Sequence, residues 1–186
     1  MDQEEVTHRS NVAVVFIDIQ DKLQPAIHDG DQVLANSIKV AQFCDRLGIP
    51  VIVTEQYPKG LGHTKPELQE ALGDGYAPIA KTEFSCFGCQ EFVDKIAEMD
   101  LDVIAVCGME THICVLQTVL APLESQELEV MVLADCVGSR TPLNHQLGLD
   151  RMRDEGAIIS SMEMFFYEYL GKAKTDEHKA VFDLLK

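Results

Sequence analysis

The sequence predicts an α/β fold in three layers, with helices on both faces of a six-stranded parallel sheet in the Rossmann-like order 3-2-1-4-5-6. Three observations predict it. Short apolar runs alternate with longer stretches of helical spacing along the 186-residue chain. The apolar runs carry almost no polar positions, as strands covered on both faces require. Gly and Pro stand at the changeovers, where left-handed caps and chain reversals fall. Right-handed crossovers in a doubly wound order then set the first and fourth strands side by side, with a ligand crevice beyond their C-terminal ends.

The elements follow in order. The first strand is 12–18 (VAVVFID), a β-branched run too apolar to be half exposed. A helix over 30–47 places Val33, Leu34, Ile38, Ala41 and Phe43 at helical spacing and closes at Gly48. Strand 50–55 leads through a long loop with Pro58, Gly60 and Gly62 to a short helix at 66–72 and strand 78–81. Helix 90–99, strand 102–108, helix 113–123, strand 130–134, helix 143–155 and strand 157–160 complete the alternation. The stretch 176–185 reads as a terminal helix. Residues 1–10 are polar and acidic, an expected N-terminal tail rather than a secretory signal, and 11–186 are expected to form one domain.

Composition excludes several function classes. Thirty-one acidic against 15 basic side chains give a net charge of −16, a field that repels phosphate backbones and anionic lipids. Neither nucleic acid nor a membrane is expected as a partner. No apolar stretch approaches the roughly 20 residues that span a bilayer. Of the six cysteines, Cys44, Cys107 and Cys136 lie in apolar strand-like or helix-like runs, the pattern of reduced core thiols in a cytoplasmic protein rather than of a disulfide scaffold.

Three positions at predicted strand ends carry chemistry. Asp18 closes the first strand, where a partly desolvated carboxylate suits acid and base work. Lys81 closes the third strand, against apolar neighbours. Cys114 lies in Gly108-Met109-Glu110-Thr111-His112-Ile113-Cys114-Val115, which runs from the fourth strand into a helix. With Thr111 as N-cap, Cys114 would fall in the first turn, where helix N–H groups favour a thiolate and an oxyanion. The predicted topology brings all three to one sheet edge, as a nucleophile, its activator and its acid/base. Gln20, Gln56, Tyr57, Phe84, Glu110 and Thr111 flank them and are the expected substrate contacts. Cys86 and Cys89 form a lone C-x-x-C that lacks a second pair for a structural zinc.

This set of motifs, Asp18-x-Gln20, Lys81 at the end of the third strand and the segment 108–115, resembles the isochorismatase-like hydrolase family over about 12–169. Glu55-Gln56-Tyr57-Pro58-Lys59-Gly60-Leu61-Gly62 and Lys81-Thr82-Glu83-Phe84-Ser85 are most similar to its branch of uncharacterised isochorismatase domain-containing proteins. The resemblance implies a six-stranded parallel sheet, an Asp18/Lys81/Cys114 triad, homo-oligomer formation and a cis peptide shortly before the nucleophile, by position Met109-Glu110. Where the nicotinamidase branch carries an Asp-x-His metal motif, this chain has Glu55-Gln56-Tyr57, so no metal or other cofactor is expected and His63 reads as a solvated loop residue. Isochorismatases that cleave a vinyl ether need no thiol, whereas this chain keeps Cys114, which favours attack on the carbonyl of a small-molecule amide. The competing expectation is a non-catalytic oligomeric scaffold or sensor on the same fold.

Overall fold

A computed structural model describes residues 11–125 and 128–186, so the expected tail at 1–10 lies outside the described residues. The strands are β1 (Val12–Ile17), β2 (Val51–Gln56), β3 (Pro78–Lys81), β4 (Val103–Met109), β5 (Glu129–Gly138) and β6 (Ile158–Ser160). They form one sheet in the order β3-β2-β1-β4-β5-β6, every neighbouring pair parallel, as the alternation predicted. Helices α1 (Gly30–Leu47), α2 (Pro58–Leu61), α3 (Pro66–Leu72), α4 (Gln90–Ala97), α5 (Leu116–Ser125), α6 (Pro142–Asp154), α7 (Met162–Leu170) and α8 (Asp176–Ala180) complete the chain.

Side-chain alternation along the central strands explains the layers. Val12, Val14 and Phe16 of β1 face the cluster built with α1, α3 and α7, whereas Val15 and Ile17 face the cluster built with α4, α5 and α6. A strand buried on both faces must be apolar at every position, which is what the run 12–17 spells. In the first layer Phe43 of α1 stacks on Phe166 of α7, ring centroids 4.0 Å apart. Cys44, Cys107 and Cys136 are buried free thiols of that cluster, as their apolar surroundings predicted. No helix among the described residues is long and apolar enough to cross a membrane.

Four elements depart from expectation, and for β5 and α7 the structure shows the physical cause. Strand β5 runs to Gly138 because its register against β4 jumps from Val106↔Val132 to Gly108↔Val137, a bulge that the apolar pattern alone does not reveal. Helix α7 was not expected: Met162-Glu163-Met164-Phe165-Phe166-Tyr167-Glu168-Tyr169-Leu170 is rich in aromatic residues of modest helix propensity, yet Ser161 caps it and Phe165, Phe166 and Leu170 are buried. The loop after β2 contains the single turn α2. Helix α8 stops at Ala180, short of the expected 185.

The sheet edge that bears the candidate site depends on a close approach between β1 and β4. At Gly108, with φ 138°, an added Cβ would stand 2.2 Å from the carbonyl oxygen of Ile17, so only glycine lets β4 pass the residue before Asp18. The peptide bond Met109–Glu110 that follows is cis.

Candidate active site

Asp18 follows β1 in a left-handed conformation, φ 55°, and its side chain is fully buried. Its oxygens have separate partners: Lys81 Nζ donates to Oδ2 at 2.8 Å and Thr54 Oγ1 donates to Oδ1 at 2.7 Å. The pairings Ile17↔Thr54 and Gln56↔Lys81 bring these residues together, because parallel strands in register end at the same level. Lys81 Nζ also donates to Gln56 Oε1 at 2.7 Å and to the carbonyls of Glu83 and Phe84 at 3.2 and 3.4 Å. Burial is the largest single influence on the Lys81 pKa and lowers it, but the charge and hydrogen bond of Asp18 together with the neighbouring Cys86 and Cys114 outweigh it and the net direction is upward, so the ammonium stays protonated.

Cys114 sits across from this pair, its residue surface 6% exposed. Thr111 does not cap an α-helix: Thr111–Val115 form a π-helical turn with Val115 N–H donating to Glu110 O at 3.2 Å, a distortion frequent at functional sites. The Thr111 hydroxyl instead pairs with His145 Nδ1 at 2.9 Å, and α6 packs on the turn, where a Cβ on Gly148 would meet Thr111 O at 3.0 Å. The expectation of a thiolate at rest is also corrected. Burial pushes the Cys114 thiol well up, Asp18 raises it further through charge and a hydrogen bond, and Lys81 only partly opposes them. Both causes favour the protonated thiol, and Asp18 is near enough to act on it through its charge.

The flanking residues divide. Gln20 Nε2 donates to Gln56 O and Gly62 O, its Oε1 accepts from Gln56 N, and Gln56 Nε2 donates to Thr82 O. The Gln20 amide thus binds the protein's own backbone, and the Gln56 amide binds backbone and Lys81. Glu110 is buried and its carboxylate accepts from Arg140 N and Nε at 2.9 and 3.0 Å, which anchors the turn that carries Cys114. Tyr57 and Phe84 are 55% and 54% exposed, and Tyr57 borders an open 500 Å³ cavity that reaches Lys81. A larger cavity, about 780 Å³, lies at the N-terminal ends of β2 and β3 and is lined by none of Asp18, Lys81 and Cys114.

Sequence reasoning missed Thr54 and Cys86. Thr54 is the one hydroxyl in β2, and its place beside Asp18 follows only from register. Cys86 packs next to it, Sγ 3.9 Å from Thr54 Oγ1, and burial pushes its thiol up to about 11 while Lys81 pulls the other way. Glu55, where a metal motif would lie, accepts from Thr64 N, Thr64 Oγ1 and Tyr76 OH and pairs with His63 Nδ1 at 3.0 Å, fastening the loop after β2. Among the described residues, no group of three or more His, Cys, Asp or Glu side chains is placed to hold a metal ion.

Residues 12–164 match the isochorismatase domain. The chain belongs to the isochorismatase family. It is 34% identical to isochorismatase family protein 1A of Dictyostelium discoideum, over 94% of this chain and 86% of that one. It is also 34% identical to the human isochorismatase domain-containing protein 2, over 94% and 83% of the two chains. Among solved structures, one described as the MAR1 ribonuclease of Caenorhabditis elegans superposes with a TM-score of 0.88 at 33% identity, covering 96% of this chain and 91% of that one. The family's six-stranded parallel architecture is thus the one this chain adopts.

Proposed function

We propose that this isochorismatase-family protein is a cysteine hydrolase that cleaves the C–N bond of a small-molecule amide through a thioester on Cys114. The observation that carries the reading is the fully buried Lys81–Asp18 ion pair at 2.8 Å, close enough to Cys114 for both charges to act on its thiol. A buried pair of this kind is retained at a cost in desolvation that hydrophobic residues would not incur, so it points to chemistry.

As a substrate carbonyl approaches, Asp18 takes the thiol proton, and sulfur attacks the carbonyl carbon. Lys81 holds Asp18 in place and offsets the charge on sulfur, while backbone N–H groups of the Cys114 turn receive the oxyanion. Protonated Asp18 then gives its proton to the departing amine or ammonia. It next takes one from the water that attacks the thioester, and as the C–S bond breaks it gives that proton to the departing Cys114 sulfur, which returns the site to its starting state. Tyr57 and Phe84 stand at the mouth as apolar contacts for the substrate. The mechanism needs no cofactor.

The exposed Leu143 and Leu147 on α6 and Met164 and Tyr167 on α7 support a homo-oligomer. Ribonuclease activity, named for the nematode relative, fits poorly with a chain of net charge −16. The test is a screen of small primary and secondary amides with wild type, Cys114→Ala and Asp18→Asn. Turnover in wild type, loss in both variants and a wild-type acyl adduct on Cys114 in intact mass are expected; turnover by Cys114→Ala overturns the reading.

A further inference from the structure

Cys86 is a buried nucleophile that the hydrolytic cycle leaves unused. The loop 82–85 wraps Lys81 Nζ with the carbonyls of Glu83 and Phe84 and delivers Cys86 directly to the triad. Cys86 N–H donates to Thr118 Oγ1 at 2.9 Å, and Thr118 lies four residues beyond Cys114 on the continuous helix, hence on the same side of it. The Cys86 sulfur lies 3.9 Å from the Thr54 hydroxyl, which itself holds Asp18 Oδ1. Cys86 thus lies behind the threonine that holds the Asp18 carboxylate, near enough to Cys114 to act on its thiol electrostatically, and both sulfurs belong to one packed cluster. Access differs: Cys114 is 6% exposed and Cys86 is 0% exposed, so a small oxidant entering from the substrate side meets Cys114 first.

We propose that Cys86 is the resolving thiol of Cys114, closing an intramolecular disulfide when hydrogen peroxide oxidises the nucleophile. The proposal rests on the reading of Cys114 as the reactive thiol of the site. In the first step Asp18 takes the Cys114 proton and the thiolate attacks one peroxide oxygen. The O–O bond breaks, the departing hydroxide takes the proton back from Asp18 as water, and Cys114 is left as a sulfenic acid, oxidised by two electrons. In the second step the Cys86 sulfur attacks the Cys114 sulfur. The S–S bond forms, the S–O bond breaks, and water leaves with the Cys86 proton. A dithiol such as dithiothreitol reverses the change by thiol–disulfide exchange. The device takes the enzyme out of action and spares Cys114 from irreversible sulfinic acid.

The test treats the purified protein with hydrogen peroxide, blocks remaining thiols with iodoacetamide and maps non-reduced peptides by mass spectrometry. The expected product is a Cys86–Cys114 linked peptide, a chain lighter by two hydrogens, and full reversal by dithiothreitol. In Cys86→Ala and Cys86→Ser, Cys114 should instead gain two oxygens and resist dithiothreitol. If wild-type Cys114 gains two oxygens while Cys86 stays free, or if Cys86 pairs with Cys89, the resolving role is overturned and the nucleophile assignment survives. If peroxide leaves Cys114 unmodified, both readings fall. The wild-type map decides these cases even where a Cys86 variant does not fold.

Discussion

Burial and, after it, the Asp18 charge keep the Cys114 proton on sulfur, so replacing Asp18 by Asn removes the second of these and the variant should gain thiol reactivity while it loses catalysis. In a protein site of effective dielectric about 20, unit charges roughly 4 Å apart interact by about 4 kcal/mol. Since about 1.4 kcal/mol is a factor of ten, the Cys114 thiolate fraction near neutral pH should rise about a thousandfold. A less basic thiolate is a poorer nucleophile, with a Brønsted slope of about 0.4–0.5, which reduces the gain in alkylation rate to about thirtyfold. Lys81 keeps Gln56 Oε1 and two backbone carbonyls as acceptors, so the ammonium is not stranded. The assay is iodoacetamide labelling of each cysteine against pH, read by peptide mass spectrometry, beside circular dichroism and the amide screen. Faster labelling of Cys114 with no turnover is expected. Labelling in folded Asp18→Asn that is unchanged or slower would refute the argument that Asp18 is the base in contact with a neutral thiol.

Three further outcomes follow from the same geometry. Thr54→Val deletes a hydrogen bond to a charged group, of the kind that contributes about 1.5–3 kcal/mol, so kcat/KM on the substrate found by the screen should fall roughly tenfold to a hundredfold and Thr54→Ser should restore most of it. Gly108→Ala puts a Cβ against Ile17 O in a backbone region unfavourable to L-residues; a loss of at least about 3 kcal/mol, roughly 10 °C in melting temperature, is expected by thermal unfolding, and an unchanged melting temperature would contradict the close approach. The Lys81 pKa is raised in the folded state, so the stability it contributes is complete below the unfolded value near 10.5 and is lost as pH rises through the folded value. Melting temperature against pH should therefore decline at alkaline pH, and in Asp18→Asn, where burial acts on Lys81 without its main opposing charge, the decline should begin at lower pH.

What was legible in the sequence was whatever periodicity and position along a strand encode. Doubly buried strands must be apolar throughout, so VAVVFI and VIAVCGM announced a parallel sheet, and residues at successive strand ends, Asp18 and Lys81, had to meet at one edge. What was not legible depends on register and on hydrogen bonds between distant segments. Thr54 looked like one more β-branched strand residue until pairing with Ile17 set it beside Asp18. Gln20 and Gln56 carried the polarity expected of a pocket, but they bind each other, the backbone and Lys81. Helix α7 escaped notice because its aromatic residues are held helical by packing against Phe43 rather than by propensity.

The acidity of Cys114 shows why residue identity alone does not give a mechanism. A cysteine near a helix start and a lysine suggests a thiolate, yet a thiolate added to the Lys81–Asp18 pair would leave that buried site with a net negative charge, which burial penalises. Passing the proton from sulfur to Asp18 changes no total charge: ammonium, carboxylate and thiol become ammonium, carboxylic acid and thiolate. The activating step is then internal to the site and needs no proton to leave for solvent. Asp18 can serve both halves of the cycle because each time it gives up a proton it regains the Lys81 and Thr54 donors that favour the carboxylate.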